Sequence, residues 1–149
     1  METLDSTNWL LTALIFAPLA GAAVMALVPE REEETHKQIA LLTSLVVLGL
    51  TVFLLVDFDY DQAGTMQYFV DADWINVINS GFTLGVDGMS LPLIALTALV
   101  MPLVFIYSWH HIPEPGNAKA FLMLSLILET GMIGTFVAQD LILFFVFFE

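Results

Sequence analysis

The sequence predicts an all-α, polytopic membrane protein with four transmembrane helices and the first half of a fifth. Three observations predict it. Hydrophobic residues make up 58% of the 149 residues and the mean hydropathy is +0.86, well above the apolar share of about 45–50% usual in globular domains. The apolar residues gather into four runs of the length, about 20 residues, that crosses a bilayer. The last nine residues, Leu141 to Glu149 (LILFFVFFE), then open a fifth run with no polar flank to close it.

The first span is Trp9 to Val28, twenty residues without a charge, interrupted only by Pro18 and Gly21. The segment ahead of it, Met1 to Asn8, is acidic where a secretory leader is basic, and the run exceeds a leader's apolar region, so it reads as a retained helix. Pro29 ends it, and Glu30 to Lys37 (EREEETHK) reads as a solvated charged loop. The second span runs from about Ile39 to Val56. Asp57 to Asp87 is the one long polar stretch. Within it, Tyr68-Phe69-Val70 and Trp74-Ile75 are expected to form a short hairpin at the membrane face. Asp57, Asp59 and Asp61 alternate like part of a Ca²⁺ loop, but the glycine and distal bidentate glutamate of an EF-hand are missing, so they read as a solvated acidic loop. The third span is about Met89 to Trp109. Ser90 is the expected cap, Pro92 sits in the first turn where its missing N–H costs nothing, and Pro102 is expected to kink the helix. In the loop His110 to Ala118 the adjacent histidines His110 and His111 point about 100° apart on a helix with no third ligand near. They read as interface residues, and no metal site is assigned. The fourth span is Lys119 to Val137, Gln139-Asp140 forms a tight turn, and 141–149 begins the fifth. The fifth run is less than half a span, so the chain reads as cut through a working part of a larger membrane protein.

Three basic residues stand against sixteen acidic ones, for a net charge of −13. That balance excludes nucleic acid, which needs clustered Lys and Arg, and opposes docking on anionic lipid headgroups. An acidic, lysine-poor surface also fits a high-salt habitat. Without cysteine there are no disulfides, thiolate metal sites or iron–sulfur clusters. There is no phosphate loop, nucleophile elbow, dinucleotide fingerprint, haem or quinone motif, so no cofactor is expected in this chain. Arg31 and Lys37 fall between spans one and two and Lys119 between spans three and four. The positive-inside rule therefore puts the N-terminus, the 57–87 loop and the Gln139-Asp140 turn outside.

Two carboxylates fall inside apolar spans. Glu129 lies about 15 Å into the fourth helix and Glu149 about 12 Å into the fifth, at about 1.5 Å per residue. The tight turn makes these helices antiparallel, so the two glutamates are expected to approach each other at similar height. Gly131 and Gly134 remove bulk beside Glu129 and admit a close neighbour or water. An ionisable group at such depth is by default a functional-site hypothesis: desolvation favours the neutral acid and a nearby cation the carboxylate, which suits a proton relay. For Glu129 a structural hydrogen bond to a neighbouring helix is an equally open reading. Glu149, flanked by Phe144, Phe145, Phe147 and Phe148, has nothing local to satisfy it and is the stronger candidate.

The stretch Phe82-Thr83-Leu84-Gly85-Val86-Asp87-Gly88-Met89-Ser90-Leu91-Pro92-Leu93 with the Ser108-Trp109 pair resembles subunit M of the proton-pumping NADH–quinone oxidoreductases (respiratory complex I, chain 4 in mitochondria). So does the tail Gly131-Met132-Ile133-Gly134-Thr135-Phe136-Val137-Ala138-Gln139-Asp140-Leu141-Ile142-Leu143-Phe144-Phe145 through Phe148-Glu149. The resemblance covers all 149 residues in order, most specifically from Phe82 onward. It implies the N-terminal part of an antiporter-like fold of about fourteen helices built on inverted repeats, integral to the prokaryotic cell membrane. Its partners would be the other membrane subunits of the complex, sister antiporter-like subunits among them, as well as lipid and protons. It also implies that Glu149 is the fifth helix's proton-relay carboxylate, paired with a lysine on the seventh helix that this sequence does not contain. Two alternatives stay open: a subunit of a multisubunit cation/proton antiporter or membrane-bound hydrogenase, and a structural membrane protein that transports nothing.

Overall fold

The chain folds as helix, helix, hairpin, helix, helix, helix, in a computed structural model that describes residues 9–75, 80–112 and 116–149. The acidic segment Met1 to Asn8 and the prolines of the His110–Ala118 loop lie outside the described residues. Helix α1 spans Trp9–Leu27, α2 Glu33–Asp57, α3 Ser90–Ser108 and α4 Ala118–Val137. These four are long and apolar enough to cross a membrane. Helix α5 spans Leu141–Phe148. α1 continues through Pro18 and Gly21, and α3 through Pro102; both prolines are buried.

Helix α2 begins within the segment expected to be a solvated loop. Glu33 and Glu34 occupy its first turn, where a helix N-terminus favours anions, and both pair with Lys37, at 3.2 and 3.4 Å. His36 and Lys37 are buried rather than solvated. At the same end, Lys119 of α4 donates from Nζ to the carbonyls of Ala26 and Val28, at 3.0 and 2.7 Å. A cation there complements the terminal carbonyls of α1.

Strand β1 (Gln67–Ile75) pairs antiparallel with β2 (Ser80–Val86) at the opposite end. The expected hairpin is corrected in its pairing: the Tyr68 and Trp74 runs belong to one strand, and the partner is the glycine-containing stretch read as the entry to the third span. Val70 faces Leu84 and Ala72 faces Phe82, with an irregularity after Gln67. Tyr68, at φ 56°, sits in that irregularity and donates its hydroxyl to Asp57, tying the hairpin to the end of α2. Burial and this carboxylate hold the Tyr68 phenol above its usual range.

The cap of α3 is also corrected. Asp87, not Ser90, receives the helix N–H groups: its Oδ1 accepts from Met89 and Ser90, at 3.1 and 2.8 Å, while Ser90 Oγ accepts the Asp87 N–H at 3.0 Å. This reciprocal pair is a capping box. Gly88 between them sits against Ala63, donating to its carbonyl at 2.9 Å, and a Cβ there would meet Ala63 at 2.9 Å.

Apolar burial falls into two clusters. One, at the hairpin end, includes Leu11, Ile15, Val47, Leu84, Ala98, Ile133, Val137 and Leu143. The other, at the Lys119 end, is Ala22, Met25, Ala40, Met101, Phe105, Leu122 and Leu126. Between them three helices change character: Pro18 and Gly21 on α1, Ser44 on α2, and Glu129 with Thr130 on α4 are buried there. Gly21 lies against Thr43 with no room for a Cβ. The bundle therefore has a polar waist between its two apolar clusters.

Candidate functional site

Glu129 sits in that waist. It is 0% exposed, and neither carboxyl oxygen has a hydrogen-bond partner among the described residues; the same holds for Oγ1 of Thr130 beside it. Among the described residues, the hydrogen bond to a neighbouring helix that one reading gave Glu129 finds no partner. Its face of α4, with Leu122, Leu126, Ile133 and Val137, is the one turned into the two clusters.

Helix α5 packs on a different face. Phe147 lies on Gly134 so closely that a Cβ would overlap its ring, and a Cβ on Gly131 would meet the Phe147 carbonyl at 3.0 Å. The small residues thus admit the close neighbour expected of them. With Phe147 level with Gly131 on antiparallel helices, Glu149 comes to about the height of Glu129, as the spacing predicts. The expected approach of the two carboxylates is nonetheless corrected. Gly131 is two residues past Glu129 and so about 200° round the helix; α5 lies behind α4 as seen from Glu129. Height follows from counting residues, and azimuth separates the pair.

Glu149 ends α5 with its N–H on the Phe145 carbonyl at 3.0 Å, and the residue is exposed. The Phe144 and Phe148 rings stack at 5.6 Å beside it. A cavity of ≈ 300 Å³ opens along this side between α4 and α5, lined by Leu128, Gly131, Met132, Thr135, Phe136, Phe147 and Phe148. Among the described residues neither glutamate has an ion-pair partner.

What orients α5 is Asp140. Its Oδ1 accepts from the N–H groups of Ile142 and Leu143, at 2.9 and 3.0 Å, and from the hydroxyl of Ser80 at 2.8 Å. The Leu143 N–H and then the Ser80 hydroxyl hold this carboxyl below its usual range. Next to it, Gln139 donates its N–H to the Thr83 carbonyl at 2.9 Å and its amide to the Gly85 carbonyl at 3.3 Å, and Ala138 bridges to Leu84. The turn read as a plain Gln139-Asp140 connection is therefore a cap gripped by β2. An aspartate directly ahead of an apolar run is an N-cap signal, and the Asp87-x-x-Ser90 spacing is a second one; both were available in the sequence.

His111 Nδ1 contacts the Tyr107 carbonyl at 2.9 Å and its ring stacks on Tyr107 at 4.4 Å. Among the described residues no group of three His, Cys, Asp or Glu side chains converges to hold a metal ion.

Comparison with known proteins finds similarity to one family. The family described as NADH-ubiquinone oxidoreductase chain 4, amino terminus, matches residues 64–135, from the hairpin to the glycines of α4. NADH-quinone oxidoreductase subunit M of Rhodobacter capsulatus is 38% identical over 144 residues, 94% of this chain and 27% of that protein. F(420)H(2) dehydrogenase subunit M of Methanosarcina mazei is 34% identical over 136 residues, 91% of this chain and 26% of that protein. NADH-ubiquinone oxidoreductase chain 4 of Mycosarcoma maydis is 36% identical over 143 residues, 94% of this chain and 28% of that protein. The chain thus spans 26–28% of the length of these curated relatives.

Proposed function

The chain belongs to the subunit M (chain 4) family of NADH–quinone oxidoreductases, and we propose from this that it forms part of a proton-translocating, antiporter-like subunit of a complex I-type enzyme. Electron transfer is carried by other subunits, and this chain contributes to the proton path. The observation that carries the reading is the seating of Glu149. Helix α5 starts at a cap anchored at the hairpin face, and Glu149 lies nine residues beyond Asp140, about 13 Å deeper at about 1.5 Å per residue. A carboxylate among phenylalanines at that depth is tolerable when a cation from another helix approaches it, and its protonation then follows the position of that cation. Glu149 is the proposed relay. Glu129, on the far side of α4 from α5, is a subsidiary group of the waist.

The matched relatives are named for different electron donors, NADH in one and F(420)H(2) in another. A subunit that moves protons without touching the donor accommodates both. The hairpin is proposed to face outward, with the N-terminus on that side and Arg31, Lys37 and Lys119 at the inner end.

Purification through an affinity tag on the full-length protein in its native membrane tests the assignment. It should bring down a quinone-reducing membrane complex, and inverted vesicles carrying that complex should acidify inside when NADH or reduced F(420) is supplied. Recovery with cation/proton antiporter subunits and no redox centre, or recovery of the chain alone, would refute it.

A further inference from the structure

The second strand of the hairpin, with the residue that follows it, holds the ends of three helices on one face of the bundle. Its first residue, Ser80, holds Asp140, the cap of α5. Its middle residues, Thr83, Leu84 and Gly85, hold Gln139 and Ala138 at the end of α4. One residue beyond it, Asp87 caps α3 through Met89 and Ser90. Phe82 also packs on Phe16 of α1, with ring centres 6.4 Å apart. The seven-residue strand and the aspartate that follows it thus hold the ends of α3, α4 and α5 and also touch α1.

α5 needs such a mount. Along α4 it rests on Gly131 and Gly134 through Phe147, and of its residues only Leu143 is buried. A short helix held along its length by so few contacts takes its setting largely from whatever fixes its end. A slide of one residue moves the end of a helix about 1.5 Å and turns it about 100°. The three acceptor contacts on a single oxygen, Asp140 Oδ1, fix both the height and the azimuth of the first turn, because two N–H groups and the Ser80 hydroxyl are satisfied together in one setting only.

We propose that Ser80 and Asp140 are positioning residues: the Ser80–Asp140 contact sets the depth and facing of Glu149, so the hairpin is the gauge from which the relay carboxylate is placed. This rests on the reading of Glu149 as a proton relay. Neither residue exchanges the translocated proton; Asp140 acts as an acceptor of hydrogen bonds, and its charge is incidental to the role. The distance from gauge to relay is eight helical residues, short and stiff enough for a displacement at the cap to arrive at Glu149 undamped.

The test uses the complete complex in inverted membrane vesicles, with assembly checked by the amount of intact complex. Asp140→Ala should lower the initial rate of proton pumping roughly tenfold, within the range that about 1 Å of misplacement at a reacting group costs. Ser80→Ala should lower it in the same direction by less, since the two N–H bonds of the cap survive. Asp140→Asn keeps an acceptor oxygen for both N–H groups and for Ser80 and should restore most of the rate. The Ser80→Ala/Asp140→Ala pair should be no worse than Asp140→Ala alone, because both act through one contact. Glu149→Gln is measured alongside. If Glu149→Gln stops pumping while assembled Asp140→Ala and Ser80→Ala complexes pump as wild type, the positioning role is wrong and the relay stands. If Asp140→Asn is as damaging as Asp140→Ala, the charge and not the clamp matters, and the proposal also fails. If Glu149→Gln itself pumps normally, the relay reading falls first. Should Asp140→Ala fail to assemble, Ser80→Ala decides: wild-type pumping by that variant would overturn the proposal.

Discussion

Three polar side-chain atoms, the two carboxyl oxygens of Glu129 and the hydroxyl of Thr130, are buried in the waist without a partner among the described residues. Leaving a buried polar group unsatisfied costs about 1–3 kcal/mol, whereas an apolar group of the same shape is often neutral or better. Glu129→Met should therefore keep or raise the melting temperature of the complex, and Glu129→Gln should pump at close to the wild-type rate; a loss as large as that of Glu149→Gln would return Glu129 to the main path. The caps behave differently. Asp87, held down first by the Ser90 N–H, and Asp140, held down first by the Leu143 N–H, both have carboxyls below their usual range. With the folded value depressed, their stabilisation is complete above the unfolded value of about 3.9 and is lost as pH falls through the folded one. Thermal stability of the hairpin end should be flat from neutral pH down to about 5 and fall only below about 4. In the Asp87→Asn/Asp140→Asn protein that acid limb should shrink; an unchanged limb would show that other carboxylates set it. The roles of these two aspartates are legible in hindsight, since each stands where a cap is needed, but a serine with a proline two residues on was the more familiar signal.

The helices were the readable elements, because spanning length, uncharged runs and proline punctuation all act locally. α2 shows where local reading stops: Glu33, Glu34 and Lys37 look like loop until their i,i+3 and i,i+4 spacing is set against the helix dipole. The hairpin was half legible. Its first strand carries aromatic and β-branched residues, but Ser80-Gly81-Phe82-Thr83-Leu84-Gly85-Val86 has two glycines and owes its extended form to pairing with β1 and with Gln139, the latter remote in sequence. The seating of α5 on α4 was legible as small residues but not as a direction. It makes a sharp prediction: Gly134→Ala should push Phe147 off its seat and destabilise the complex by about 1–3 kcal/mol, the usual range for overpacking. Trimming the ring with Phe147→Ala should offset part of that loss, so the double variant melts above the Gly134→Ala single. Additive losses would place Phe147 elsewhere. At the other end, Lys119→Met removes the cation from the α1 carbonyls and should cost about 1 kcal/mol, read as a lower melting temperature without loss of insertion.

Taken whole, the molecule is a membrane bundle with two dissimilar ends. One carries Arg31, Lys37 and Lys119; the other carries the hairpin and the caps of α3 and α5. Single cysteines at Thr65, beside the hairpin, and at Gly116, beside Lys119, are both exposed and should label from opposite sides of the membrane, Thr65 from outside. Labelling of both from one side would refute the arrangement. The two carboxylates belong to the two sides of α4: Glu129 is enclosed in the α1–α4 bundle, and Glu149 is carried by α5 on the glycine face. Of the two, Glu149 is exposed and Glu129 is buried. The ratio of protons pumped to electrons transferred, measured in inverted vesicles of the assembled Glu149→Gln complex, decides whether that carboxylate is the relay. Gln keeps the volume and hydrogen-bonding capacity of Glu but cannot exchange a proton, so the ratio should fall sharply while the amount of intact complex is preserved. A wild-type ratio would contradict the assignment.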